Sequence, residues 1–141
     1  MKLIIPFVTA ITILSVTACK KETTSTIPIN ETPAITAMAI DSGYFSNGPY
    51  GSVTGTAKIY KTGDKYELAL ENFSSSNGPD LKVYLSKEKQ QVNFVNLGSL
   101  KSTAGHQLYA IPGSVNVKDY TYALIHCQQY NHLFGFAQLK P

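Results

Sequence analysis

The chain has 141 residues, 43% hydrophobic and only 15% charged, with nine tyrosines, two cysteines, no tryptophan and no arginine. That is enough for one ordinary core, too apolar for a disordered tail, and too poor in cysteine for a disulfide-stapled scaffold. Twelve lysines against nine acids leave a formal charge of +3 that is scattered along the chain, and with no arginine for phosphate recognition they argue against a nucleic-acid partner.

Residues 1–18 carry one lysine, Lys2, and then an apolar run that is short for a membrane-spanning helix and ends in small side chains. This stretch resembles a bacterial lipoprotein signal peptide, with Val16-Thr17-Ala18-Cys19 as its lipobox. The resemblance implies cleavage before Cys19 and acylation of its thiol, palmitate among the acyl chains, so that the mature chain is anchored to a bilayer. Lys20 stands where an aspartate marks inner-membrane retention in Gram-negative lipoproteins, which favours the outer membrane of the cell envelope. Residues 19–34 are rich in Thr, Ser and Pro and read as a lipidated cysteine followed by an extended tether. Residues 35–141 remain for one folded domain.

From Ile35 onward the pattern has period two. Val53, Ala57 and Ile59 oppose Thr54, Lys58 and Tyr60. Tyr66, Leu68 and Leu70 oppose Lys65, Glu67 and Glu71, and Leu81, Val83 and Leu85 oppose Lys82 and Ser86. Each is the signature of a half-buried antiparallel strand. Turn chemistry falls between them at Asn47-Gly48-Pro49, Thr62-Gly63-Asp64, Asn77-Gly78-Pro79-Asp80 and Pro112-Gly113. Weaker strands are expected at Ile35–Ile40, Val92–Leu97 and His106–Ile111, and a turn of helix at Lys87–Gln91. Tyr120–Cys127 and Leu133–Leu139 are apolar on both faces, as strands central to a sheet are. In the second of these, Phe134 and Phe136 are expected opposite Leu133, Ala137 and Leu139. The whole predicts an all-β domain: an antiparallel β-sandwich or flattened barrel of about eight strands.

Familiar catalytic spacings are missing: no G-x-S-x-G, P-loop, G-x-G-x-x-G or H-E-x-x-H, and no evident nucleophile–base pair for a hydrolase. Chemistry therefore falls to Cys127 and to His106, His126 and His132. Once Cys19 is acylated, Cys127 is the single free thiol. It reads either as a small apolar residue packed in a central strand or as a redox thiol or soft ligand to haem or metal. The spacing Cys127-x4-His132 resembles the copper loop of cupredoxins, with His106 as the distant histidine and Gln138 in the axial place. His126, adjacent to Cys127 in a strand, points to the opposite face.

Asn72-Phe73 followed by Gly78-Pro79-Asp80-Leu81-x-Val83-Tyr84-Leu85-Ser86 resembles the central motif of the DM-thirteen, or electron-transfer DM, domain. Gly43-x-Phe45 and Val53-x-Gly55 precede it in the family order. After it come Leu97-Gly98-x-Leu100, Gly105-x-Gln107-x-Tyr109-x-Ile111-Pro112, Cys127-x-x-Tyr130 and Phe134-Gly135-x-Ala137-x-Leu139. The resemblance spans Asp41 to Leu139. It implies an extracellular all-β module, found alone or beside DOMON domains, whose characteristic cysteine (Cys127 here) acts in redox chemistry as a bare thiol or through a bound prosthetic group. His126 replaces a tryptophan common in the family, and Tyr50-Gly51-Ser52 lacks a histidine often found in that region. Asp80 at the tight turn is expected to bond nearby backbone amides, and Gly135 inside an apolar strand marks a bulge or a close backbone approach.

The expectation is a lipid-anchored, non-enzymatic redox or electron-transfer accessory using Cys127, with haem or copper as the cofactors that a prosthetic group there would bring. The competing expectation is a cell-surface binding or structural module with Cys127 inert and Tyr44, Phe45, Tyr50 and Tyr130 forming a contact surface.

Overall fold

The computed structural model describes Thr23–Pro141; the signal segment 1–18 and Cys19 lie outside the described residues. Nine strands form one curled sheet: β1 (Ile29–Asn30), β2 (Met38–Asn47), β3 (Val53–Thr62), β4 (Lys65–Ser75), β5 (Leu81–Ser86), β6 (Phe94–Ser99), β7 (Ala104–Ile111), β8 (Tyr122–Cys127) and β9 (His132–Gln138). Their spatial order is β1-β7-β4-β3-β2-β9-β8-β5-β6, antiparallel throughout except for the short β1–β7 pair. The sheet turns at β2, whose first part pairs with β3 while Phe45–Asn47 pair with β9. The two halves therefore face one another as a flattened, open barrel.

The period-two positions fill the space between the halves. Ala57, Ile59, Leu68 and Leu70 from one half meet Val83, Leu85, Ala123 and Ile125 from the other, all at 0% exposure. Burial of such side chains stabilises the fold by roughly 1.5–3 kcal/mol each, which is why the alternation dictates the sheet. Bulges adjust the alternation. Between Leu70 and Phe73 the β4 register shifts, with Asn72 left-handed at φ 47°, and Phe73 thereby returns to the core.

β8 is buried on both faces, as a strand lying between β5 and β9 should be. Its inner side chains, Ala123, Ile125 and Cys127, join the core. Its outer ones, Leu124 and His126, are covered as well. The connection after β5 folds back across this outer face: Phe94 stacks on Tyr84 at 4.3 Å and Lys89 lies 3.9 Å above the Phe136 ring.

Three local expectations change. Lys87–Gln91 is a run of bends, not a helical turn, because the buried Ser86 hydroxyl donates to the Gln90 carbonyl and accepts from the Glu88 amide, closing a tight loop. Ile35 is fully exposed in a turn closed by Ala37 N–H on the Ala34 carbonyl, so β2 starts only at Met38. Phe134 and Phe136 do not share a face: a bulge opposite Ile125/His126 makes Phe134 the extra residue and sends its ring into the core, leaving Phe136 outside. The segment from Thr23 to Ala34 is extended and mostly exposed, yet tied to the domain. Ile29–Asn30 pair with Gly105–His106, and Glu31 accepts from both Lys101 Nζ and the Leu108 amide. Gly105 is needed there: φ is +102°, and a Cβ would stand 2.0 Å from the Ile29 carbonyl oxygen.

Candidate functional site

Cys127 ends β8, paired with Leu81 on one side and His132 on the other. It is 1% exposed and is the one free cysteine among the described residues. Its thiol donates to the Pro79 carbonyl at 2.9 Å. That carbonyl belongs to the Asn77–Asp80 turn, so the glycine–proline–aspartate motif is the cover of the sulfur. The turn is half-exposed, and Pro79 is bridged in its turn by Thr23 of the amino-terminal segment.

The turn is built from its own residues. Asn77 Oδ1 accepts from the Gly78 amide and its Nδ2 donates to the Thr24 carbonyl. Asp80 is left-handed at φ 57°, which aspartate tolerates better than most side chains, and its carbonyl accepts from the Gln128 amide. The Asp80 carboxylate does not bond backbone amides; it pairs with Lys82 at 2.9 Å on the rising strand. Gly78 lies against the Phe134 ring, and Gly51 presses the same ring, so two glycines clamp the side chain that roofs this end of the core. Gly135 is a close approach of another kind: a Cβ there would stand 2.5 Å from the Val53 side chain.

The three histidines are separated. His126 faces away from Cys127, 2% exposed beneath the outer layer. Its Nε2 donates to Asn131 Oδ1 at 3.1 Å, and Asn131 also accepts from Gln91, but Nδ1 has no hydrogen-bond partner among the described residues. Burial, reinforced by the nearby His132, holds the His126 pKa below the usual histidine range against the opposing Asn131 bond, so the ring is neutral. His132 is half-buried, its ring parallel to Tyr50 at 3.7 Å with Tyr130 5.9 Å away. His106 sits on β7 in the other half of the sheet, beside the β1 pairing.

Haem or copper at Cys127 requires donors that converge on the sulfur. Here Sγ is directed to a carbonyl, His126 lies on the opposite face, His132 is engaged between tyrosines, and His106 is remote. Among the described residues no three His, Cys, Asp or Glu side chains come together. The donor set does not fit such a group. A bare thiol is what the arrangement offers.

One buried unit escaped the sequence reading. Gln107, at 0% exposure, donates to the Ser102 carbonyl, while its Oε1 accepts from the Tyr109 hydroxyl at 2.7 Å and from the Ser102 amide. Tyr109 in turn accepts from the Lys101 amide, and burial pushes its pKa up. Gln107-x-Tyr109 is thus a hydrogen-bonded clasp that closes the β6–β7 connection. The alternating polar positions of the motif were the available signal.

Of the aromatic residues expected on a contact surface, Phe45 is in the core, edge-on to Phe73, because β2 turns it inward. Tyr44, Tyr50 and Tyr130 are exposed.

No curated protein and no solved structure matches the chain. The model of the family described as "Electron transfer DM13" matches residues 45–139, from the inward turn of β2 through the end of β9, and includes Cys127 and its covering turn. The chain belongs to the electron transfer DM13 family.

Proposed function

We propose that the protein is a non-enzymatic electron-transfer accessory, held at the bacterial envelope by a lipid on Cys19, and that its electrons pass through the Cys127 thiol. The observation that carries this reading is the placement of that sulfur: the free thiol of the described domain, at a strand end, beneath a turn whose own motif supplies its hydrogen-bond acceptor.

The chemistry is exchange with a partner that carries a disulfide. When the turn opens, the Cys127 proton passes to water and the thiolate sulfur attacks one sulfur of the partner's S–S bond. That bond breaks, the partner's second sulfur leaves as a thiolate, and a mixed disulfide forms. Cys127 is oxidised by one formal step and the leaving sulfur is reduced by one; a dithiol donor reverses the exchange. The closed turn protects the thiol in a compartment where exposed thiols oxidise. Tyr50 and Tyr130, exposed beside His132, form the aromatic face next to the opening.

The test uses the full chain carrying Cys19→Ala, so that Cys127 is its one thiol, with a disulfide reagent that releases a chromophoric thiolate. The native protein is expected to release one equivalent that is absent from Cys127→Ser, and to be restored by dithiothreitol for a second cycle. No release from native protein overturns the reading. Incorporation of labelled palmitate, lost in Cys19→Ala, tests the anchor separately.

A further inference from the structure

On the surface opposite the core, the turn of the sheet at β2 leaves an open cleft of about 540 Å3 between β2, β3 and β9, with β4 at its edge. That size lies within the range of about 300–1,000 Å3 common for ligand sites. Strand register builds it: Tyr44 of β2 pairs with Thr56 of β3, which pairs with Glu71 of β4, so the three stand in one row across the sheet. Ser46 and Phe136 pair across β2 and β9 to continue the row on the other side.

The chemistry of the row is specific. Glu71 accepts from the Tyr60 hydroxyl at 2.6 Å through Oε1 and from Lys58 Nζ at 2.7 Å through Oε2. Lys58 and Tyr60 therefore hold the carboxylate in one orientation. A carboxylate has about four acceptor positions, and each oxygen here keeps one beyond its bond to Tyr60 or Lys58. Lys58 and the hydrogen bonds to Lys58 and Tyr60 keep the Glu71 pKa below its ordinary value although burial opposes this, so the acceptor is ionised at neutral pH. Lys58 balances Glu71 within the row, and Lys140, which also lines the cleft, adds one positive charge. Thr56, Ser46 and Gln138 add neutral donors and acceptors to the lining. Tyr44 is 83% exposed, an unusual position for so large a ring, and forms an upright apolar wall beside them.

Paired acceptors, neutral hydroxyl and amide groups and a free aromatic face together match a ligand with adjacent hydroxyls on one edge and C–H groups on its flat face. We propose that this cleft binds a sugar chain, with Tyr44 against a ring face and Glu71 accepting from two adjacent hydroxyls. The cleft is formed on the outer surface, whereas Cys127 faces the interior, so binding here does not depend on the thiol.

The experiment is isothermal titration of the full chain with the neutral tetrasaccharides of the chitin, cellulose and maltose series, and with tetragalacturonate as a charged comparison. At least one of these tetrasaccharides is expected to bind at a single site. Tyr44→Ala, at an exposed position, is expected to weaken binding at least tenfold without changing the melting temperature, and Glu71→Gln to weaken it likewise, while Cys127→Ser leaves binding unchanged. The proposal is overturned if none of the four tetrasaccharides binds at millimolar concentration, or if binding survives Tyr44→Ala.

Discussion

Gly78→Ala tests whether the turn over Cys127 works as a clamped lid. A Cβ at residue 78 would stand 2.6 Å from Phe134 Cζ and 3.0 Å from Cε2. Carbon atoms pack at about 3.5–4.0 Å, so roughly 1 Å must be found. Gly51 also packs on this ring, its Cβ position 2.6 Å from Cδ2, which limits how far the ring can move. Leu81, 3.3 Å from the new methyl group, blocks a sideways move. The turn must lift instead, and overpacking of this kind costs about 1–3 kcal/mol. If lifting the turn relieves the strain, the opening equilibrium rises by roughly 5- to 150-fold, since each 1.4 kcal/mol is tenfold. The assay is the rate of Cys127 modification by a disulfide reagent in native buffer, measured beside urea unfolding of the same variant. An unchanged modification rate in a destabilised variant would refute the lid, since the thiol would then be reached by another route.

Two further outcomes follow from the buried polar groups. Tyr109→Phe removes the donor to Gln107 and the acceptor for the Lys101 amide, so urea unfolding is expected to show a loss of about 1–3 kcal/mol; a change within a few tenths would contradict the clasp. His126 is neutral in the fold while its unfolded counterpart takes up a proton below about pH 6.5. Stability contributed by this residue is therefore complete above that pH and declines as pH falls, before the carboxylates titrate, and the decline is expected to be shallower in His126→Phe. Equal slopes for both proteins between pH 6.5 and 5 would count against it.

The strands were readable because their alternation coincides with burial. Leu81–Ser86 begins and ends where the pattern does, and the two-sided apolar run of β8 correctly places it between two other strands. Errors arose where a single residue shifts parity. The bulge in β9 falls beside Gly135, the residue that marked it in the sequence, but that glycine does not say that Phe134 and not Phe136 turns inward. Likewise the bends after Ser86 depend on a buried hydroxyl whose partners lie in the loop it closes. At the site, Cys127 and the Asn77–Asp80 turn were both visible as motifs, but not their contact. The residues are 48 apart, and only the β5–β8 pairing brings Pro79 over the sulfur. The cleft at Tyr44 was hidden for the same reason, since its row is assembled from four strands.

The urea dependence of native Cys127 exchange, measured below the unfolding transition, tests most directly whether this sulfur is a working thiol behind a local lid. Denaturant slopes scale with the surface exposed, and opening one turn exposes little. The account predicts an exchange rate nearly independent of urea until global unfolding begins. A rate that rises from zero urea with the full equilibrium slope would mean that Cys127 is reached only by unfolding the barrel, and would contradict its assignment as the electron-carrying residue.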